Sequence, residues 1–225
     1  MPPAKPPQHL VIFGRPGSGK SSLAERLGAD FGYQLVRTGE MLREAIRRGD
    51  SLGHRVENHL ARGDLVPDRL IFELLEHNLK SPDSARLLFD GFPRTLGQGE
   101  LLEGFERKLG FAIECYLEIV LSRDEAVSRM TGRRVCPVCG TTYHVVARPP
   151  KLPETCDIDG ARLERRKDDT MEVVDFRQRL YDEQTEPIVA YYRETYTQLY
   201  RSVDGTGSVE RVYGETLRVL CLEKP

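Results

Sequence analysis

Gly14-Arg15-Pro16-Gly17-Ser18-Gly19-Lys20-Ser21 is the stretch on which the fold turns. It satisfies the pattern G-x-x-x-x-G-K-[ST], and its flanks are the ones that pattern requires. A short run with β-branched Val11 and Ile12, His9 to Phe13, precedes it, and the helical spacing of Leu23, Ala24 and Leu27 follows it. Strand, glycine loop and helix in that order make a phosphate cradle. The glycines let the backbone curl until successive N–H groups face one anion, the helix adds the positive end of its dipole, and Lys20 reaches terminal phosphates. Ser21 or Ser22 can help to hold magnesium, and the segment as a whole predicts binding of a nucleoside triphosphate.

Outward from the loop, a second buried strand is expected at Arg86 to Phe89, stopped by Asp90 and Gly91. A third is expected from Ala112 to Leu121, where Ile113, Cys115, Leu117, Ile119 and Leu121 share one parity. Between and after them lie helical stripes. One starts at Asp68 with Leu70, Ile71, Leu74, Leu75 and Leu79; another runs from about Asp175 to Leu199. Strands alternating with helices predict an α/β fold, a P-loop parallel β-sheet core flanked by helices, carried by residues 9–36, 67–131 and 170–225. Residues 1–8 read as a flexible, proline-rich tail. Two segments break the alternation. Residues 37–66 are short, charged and helical, punctuated by Gly39, Gly49, Gly53 and Gly63; residues 132–169 are rich in Pro, Arg, Thr and Cys with little helical period. Both read as insertions.

The chain's 225 residues, at about 150 per domain, fit one sizeable core with inserted pieces. Hydrophobic residues make up 39% and charged residues 30%, too apolar for a wholly disordered chain, and no run approaches the ~18 apolar residues of a membrane span. Lys and Arg total 33 against 35 Asp and Glu, so the surface as a whole does not invite nucleic acid. No membrane and no nucleic-acid partner is expected. Nothing at the N-terminus resembles a secretory signal, and cytoplasm is the expected compartment.

Three of the five cysteines fall within 21 residues, which points to a metal site in a reducing compartment rather than to a disulfide framework. Cys136-Pro137-Val138-Cys139 is followed after sixteen residues by Cys156-Asp157-Ile158-Asp159. That is the spacing of a paired C-x₂-C zinc ribbon with Asp159 where a fourth cysteine would stand; a carboxylate can ligate zinc, and a closed four-ligand site is structural. His144 is the rival fourth ligand. Cys115 and Cys221 read as packing thiols.

The loop alone does not choose among kinases, GTPases and motor ATPases. No N-K-x-D guanine motif and no H-R-D catalytic loop occurs. Four further segments do choose: Thr38-Gly39-Glu40-Met41-Leu42-Arg43, Gly63-Asp64-Leu65-Val66-Pro67-Asp68, Asp90-Gly91-Phe92-Pro93-Arg94-Thr95 with Gln98, and Gly132-Arg133-Arg134-Val135. With the loop they make the chain resemble the adenylate kinases of the long-lid bacterial type, over essentially everything after residue 8.

The resemblance implies reversible transfer of a phosphoryl group from MgATP to AMP, giving two ADP, with ATP, AMP and ADP as the small-molecule partners of a monomer. It assigns residues 37–66 to AMP binding and 132–169 to a zinc-containing lid over ATP, three cysteines and an aspartate being a ligand set that the family uses. It places Thr38, Arg43, Leu65, Val66, Gly91, Arg94 and Gln98 around AMP, with Gln98 reading adenine. Around ATP it places Gly17, Ser18, Gly19, Lys20, Ser21, Ser22, Arg129, Arg133, Thr142, Tyr143 and Gly207. Lys20, Arg94, Arg133, Arg166 and Arg177 would carry catalysis, the last two also meeting the AMP side. Phosphoryl transfer needs alignment and charge neutralisation, which guanidinium forks supply without losing a proton. Asp90 would hold magnesium through water or cap the following turn, while Asp168 and Asp169 would bridge the lid to its arginines or cap a helix.

Departures from the family pattern are equally specific. Ser21 and Ser22 stand where Gly-Thr is usual, which leaves open which hydroxyl serves magnesium, and Gly97 and Gly99 flank Gln98 where alanine or proline is usual. Two other readings stay in view: a related kinase with another acceptor or donor, and a nucleic-acid-binding ATPase using the ribbon and the basic run Arg162 to Lys167.

Overall fold

The computed structural model of the chain describes residues 5–79, 86–146 and 148–223, so the first four residues of the expected tail lie outside the described residues, as does the side chain of Lys167. Five strands form one sheet: β1 (His9–Phe13), β2 (Tyr33–Arg37), β3 (Arg86–Asp90), β4 (Cys115–Val120) and β7 (Tyr200–Asp204), in the order β2-β3-β1-β4-β7. Every pairing in it is parallel.

Both faces of a parallel sheet are covered, so its central strands are apolar on both parities. Val11 and Phe13 of β1 pack into one cluster, with Leu70, Leu74, Leu102, Ile188 and Tyr192 from α4 (Asp68–Asn78), α5 (Leu96–Leu109) and α8 (Glu186–Thr195). Leu10 and Ile12 face the other way, onto Leu23, Ala24 and Leu27 of α1 (Lys20–Phe31) and Tyr213, Leu217 and Leu220 of α9 (Val209–Leu220). The expectation of a parallel sheet flanked by helices holds.

β2 and β7 were not anticipated. They are the two edges of the sheet, each with only one or two buried positions, so neither shows a continuous apolar run. β4 begins three residues later than the parity of Ala112 to Leu121 suggested: the Ile113 N–H donates to the Glu106 carboxylate (2.6 Å) and the Glu114 N–H to the His9 carbonyl (3.0 Å), so this stretch turns into the strand instead of extending it. The helix expected from about Asp175 to Leu199 starts earlier, as α7 (Met171–Leu180), where the Thr170 hydroxyl caps the Val173 N–H. It then widens into one π-helical turn, Tyr181–Thr185, before α8. Pro187 has no N–H to give and its ring crowds the preceding turn, so the ladder loosens there.

The first insertion is a helix pair, α2 (Thr38–Arg48) and α3 (Ser51–Arg62), whose Leu42 and Val56 belong to the main core. The second follows α6 (Arg123–Thr131). It contains a two-stranded antiparallel ribbon, β5 (Arg133–Val135) and β6 (Thr142–His144), and a four-residue core of its own: Cys136, Tyr143, Cys156 and Leu163.

Candidate active site

Ligands of open α/β sheets sit beyond the carboxyl ends of the strands. Here the loop after β1 and Asp90 at the end of β3 lie side by side, because Ile12 and Asp90 are paired in register. Gly14 and Gly17 have positive φ (140° and 91°), and a Cβ on either would come within 2.6 Å of a backbone carbonyl, of Ile119 and Ala126 respectively. Only glycine lets the loop lie this close to the neighbouring chain. Helix α1 leaves the loop with no acidic residue in its first turn, so its positive end stays uncompensated.

Lys20 folds back over the loop, donating to the carbonyls of Gly14 (2.6 Å) and Arg15 (3.0 Å). Burial, together with Arg94, Arg177 and Arg133, pulls its ammonium down to about 8 against the opposing pull of Asp90. Of the two serines, it is Ser21 whose hydroxyl donates to the Asp90 carboxylate, at 2.6 Å; both serines are exposed.

The arginines converge. Arg94 and Arg166 are each held at about 10, first by burial and then by neighbouring guanidiniums, Arg177 and Arg43 for the former, Arg133 and Arg43 for the latter. Arg43 and Arg177 are lowered for the same reasons. Two acids steady this cluster. Asp169, fully buried, accepts both arms of Arg133 (2.8 and 2.5 Å), and Asp168 accepts from Arg177 (2.8 Å). Burial pushes Asp168 up, but Arg177, Arg133 and Arg166 together bring it below the ordinary carboxylate range. Both acids therefore bridge to arginines, and the cap of α7 is Thr170 instead.

On the far side of the cleft, Thr38 donates to the Gly91 carbonyl (3.0 Å), and the same carbonyl accepts from Arg94 Nε (2.7 Å). Gly91 has φ +75°, and a Cβ there would meet Arg94 Nη2 at 2.7 Å. Gly63 lies against Arg177; in the loop that follows, Leu65 is half-buried and Val66 packs into the main core. Gln98 is buried at the start of α5.

Other expected residues sit at the rim. Arg129 is paired with Glu125 (3.0 Å) on its own helix. The side chain of Tyr143 is packed within the second insertion, its hydroxyl accepting the Asp157 N–H at 2.8 Å, so what it can offer a nucleotide is backbone; Thr142 beside it is half-buried. Gly207 (φ +80°) lies in the loop after β7, which Arg211 braces through the carbonyls of Asp204 and Thr206. Of the described side chains of the basic run, Arg162 pairs with Glu154, Arg165 with the Asp169 carbonyl, and Arg166 joins the arginine cluster.

Gln178 was missed. Fully buried on α7, it accepts from Arg15 (3.2 Å) and donates to the Pro16 carbonyl (2.9 Å), tying the loop to the arginine-bearing helix. Its signal was an amide on the stripe Val174, Gln178, Tyr181, where an apolar residue belongs.

In the second insertion, the sulfurs of Cys136, Cys139 and Cys156 and a carboxylate oxygen of Asp159 all lie within 4.8 Å of one another. The two knuckles have one backbone form. Gly140 and Gly160, at φ 74° and 73°, each donate to a cysteine carbonyl four residues back (3.0 Å), and Cys136 and Cys156 donate to the carbonyls of Thr141 and Ala161. Asp159 thus stands in the place of Cys139. The Cys139–Cys156 sulfur separation of 3.6 Å is far beyond a disulfide bond and close to the ~3.8 Å edge of a tetrahedron with 2.3 Å metal–sulfur bonds. His144 is elsewhere, its ring against Gly132 and the Ser128 carbonyl at the insertion's root.

A loop that cradles phosphate facing a bowl of guanidiniums is the geometry of phosphoryl transfer between two phosphate-bearing substrates. The adenylate kinase family profile matches residues 12–197. The adenylate kinase of Carboxydothermus hydrogenoformans is 39% identical over 212 residues, 94% of this chain and 98% of that protein. Those of Archaeoglobus fulgidus and Bacillus subtilis are each 38% identical over 213 residues, covering 94% of this chain and 97% of theirs. The chain belongs to the adenylate kinase family. Membership makes it a nucleoside monophosphate kinase, an ATP:AMP phosphotransferase, and adenylate kinases use magnesium with ATP. Among the described residues no helix is long and apolar enough to cross a membrane.

Proposed function

We propose that ATP enters against the loop Gly17 to Ser22 with its base towards Gly207 and the root of the lid, and that AMP enters between residues 37–66 and Arg94, so that the two phosphate chains meet under Arg133, Arg166 and Arg177. The observation that carries this reading is the convergence of Lys20, Arg43, Arg94, Arg133, Arg166 and Arg177, in which Arg43, Arg94, Arg133 and Arg177 each lower the proton affinity of another member. Such crowding of cations is costly in the empty protein and is relieved by polyanionic substrates.

In this reading Lys20 and the arginines align the acceptor phosphate of AMP with the terminal phosphate of ATP and neutralise the charge spread over the transferred group. Asp90 and Ser21 would hold the waters of magnesium, which when bound supplies neutralising charge on the ATP phosphates. Residues 132–169 act as the lid, closing to exclude water, and residues 37–66 as the AMP-binding insertion. The knuckles hold a structural zinc through Cys136, Cys139, Cys156 and Asp159, the donor set matching the metal's preference. The protein works as a monomer in the cytoplasm.

The acceptor assay tests this reading: with MgATP, AMP is expected to be used at least about a hundredfold better in kcat/KM than CMP, UMP or GMP. A flat acceptor profile, or turnover with none, removes it.

A pH dependence follows from Lys20. Its ammonium in the free protein sits at about 8, so it is charged below that pH and neutral above it. Binding of ATP requires the charged form. Affinity for MgATP is therefore expected to be level below pH 8 and to fall towards tenfold per unit as pH rises beyond it, with proton uptake on binding visible as a buffer-dependent enthalpy. Affinity unchanged from pH 7 to 10 would contradict that assignment.

A further inference from the structure

Gln98 can read a base only if its amide is held one way round. An amide end has two faces, and a flipped glutamine offers a donor where an acceptor was wanted. Two groups of fixed polarity settle the matter in this chain. The Asp68 carboxylate, which can only accept, takes a hydrogen bond from Gln98 Nε2 at 2.8 Å, and the Arg94 backbone N–H, which can only donate, gives one to Gln98 Oε1 at 2.8 Å. Flipping the amide would oppose oxygen to carboxylate and N–H₂ to N–H at the same moment.

Asp68 is itself fixed. It opens α4, and the Thr95 hydroxyl donates to its two oxygens at 3.1 and 3.2 Å while accepting the Gln98 N–H as the cap of α5 (3.1 Å). Gly97 leaves the room: a Cβ there would lie 2.7 Å from Asp68 Oδ2, with no other atom nearer than 3.7 Å. The glycine beside Gln98 thus lets a carboxylate approach the base-reading amide closely.

We propose that Asp68 is a specificity-determining positioning residue, which locks the Gln98 amide so that its remaining N–H and oxygen lone pair suit a 6-aminopurine and oppose a 6-oxopurine. This rests on the assignment of Gln98 to the AMP base. Adenine presents an acceptor at N1 beside a donor at its 6-amino group, the complement of the locked amide. Hypoxanthine and guanine present the reverse order, N1–H beside a 6-oxo group, and fit only the flipped amide. A site built to hydrogen-bond one pattern rejects the other strongly, because its own buried groups are left unpaired.

The experiment compares AMP with IMP as acceptors, since IMP differs only in that reversed edge. Asp68→Asn keeps the shape but can face Gln98 with either an oxygen or an N–H₂ group, so one of the two constraints is lost and the Arg94 N–H alone opposes the flip. The expected result is a fall of about tenfold or more in the ratio of kcat/KM for AMP over IMP. It arises from a higher KM for AMP with kcat changed less, while KM for ATP stays within about twofold and Tm within a few degrees. A ratio equal to that of the parent overturns the proposal. Should Asp68→Asn not fold, Gly97→Ala, which displaces only the free end of the Asp68 side chain, is expected to lower the ratio in the same direction, and an unchanged ratio there overturns it as well. Gln98→Ala separates the two layers of argument. If it too leaves the ratio intact, Gln98 does not read the base and the underlying assignment fails; if it abolishes the ratio while Asp68→Asn does not, only the role of Asp68 fails.

Discussion

Lys20→Met is expected to lower kcat by about a thousandfold and, in the absence of nucleotide, to raise Tm by about 2–4 °C. The opposite signs come from one cause. In the free protein the ammonium is buried among Arg94, Arg177 and Arg133 with Asp90 as its principal counter-charge, and the balance disfavours the charged form. The sign of the pH linkage agrees: the folded pKa, about 8, lies below the ordinary lysine value, so the unfolded chain binds more protons between them and Lys20's contribution to stability improves as pH rises through that window. Methionine keeps most of the aliphatic length and removes the charge. It also removes donors from the Gly14 and Arg15 carbonyls, a smaller loss where the loop mouth is open to water. In the proposed complex the same charge would face the phosphates during transfer. Calorimetry without nucleotide and a coupled ADP assay check both halves. A lower Tm with activity kept within tenfold would show that Lys20 is a structural tether and that the cleft is not organised around polyanions. The trade of stability for function is the usual mark of an active site.

Much of this was legible in the chain itself, and the gaps have physical reasons. The phosphate loop was readable because three constraints coincide there: glycines that no side chain can replace, a preceding buried strand, and a helix start. The knuckles were readable because a paired C-x₂-C spacing is the one metal geometry favours, and a second knuckle of matching length needs Asp159; the matching turns at Gly140 and Gly160 emerged only in the structure. Edge strands β2 and β7 were hidden because a strand with one wet face and one unpaired side carries no strong alternation. The π turn before Pro187 was hidden because periodicity registers a helix, not a change in its winding. Gln178 and Asp68 were hidden for another reason. Each works by touching a segment more than twenty residues away, and a polar side chain gains its meaning from a partner that the local sequence does not contain. Which arginines turn inward was likewise a matter of partners: Arg133 and Arg177 are held by Asp169 and Asp168, whereas Arg162 is spent on Glu154 at the surface.

Asp159→Ala is expected to cost the second insertion its fold, and Asp159→Cys to preserve it. Among the described residues of 132–169 the apolar support amounts to Tyr143, Leu163 and part of Ala161, besides the two cysteines that would be ligands. Two large side chains contribute only about 2–3 kcal/mol each on burial, and ordering each backbone residue costs about 1–2, so the ribbon cannot stand on packing alone. In the proposed reading a bound zinc would supply the difference, since structural zinc in small domains binds with apparent free energies of about 10–16 kcal/mol. Without metal, the Ala161 N–H and the cysteine thiols hold the Asp159 carboxyl down at about 2. Alanine should abolish binding of one zinc per chain, lower Tm by ~5–10 °C, expose the segment to protease, and raise KM for ATP more than it lowers the rate at saturation. Cysteine at the same position completes a second knuckle identical in form to the first, and should keep both the zinc and the Tm. Cobalt in place of zinc should give the absorption of a tetrahedral site with three thiolates and leave kcat nearly unchanged, because the ion holds the lid together without touching phosphate. His144→Ala should retain the metal. Loss of zinc in that variant, or a metal-free Asp159→Ala protein with the stability of the parent, would mean that the two knuckles do not close around a common ion and that the lid is held by something else.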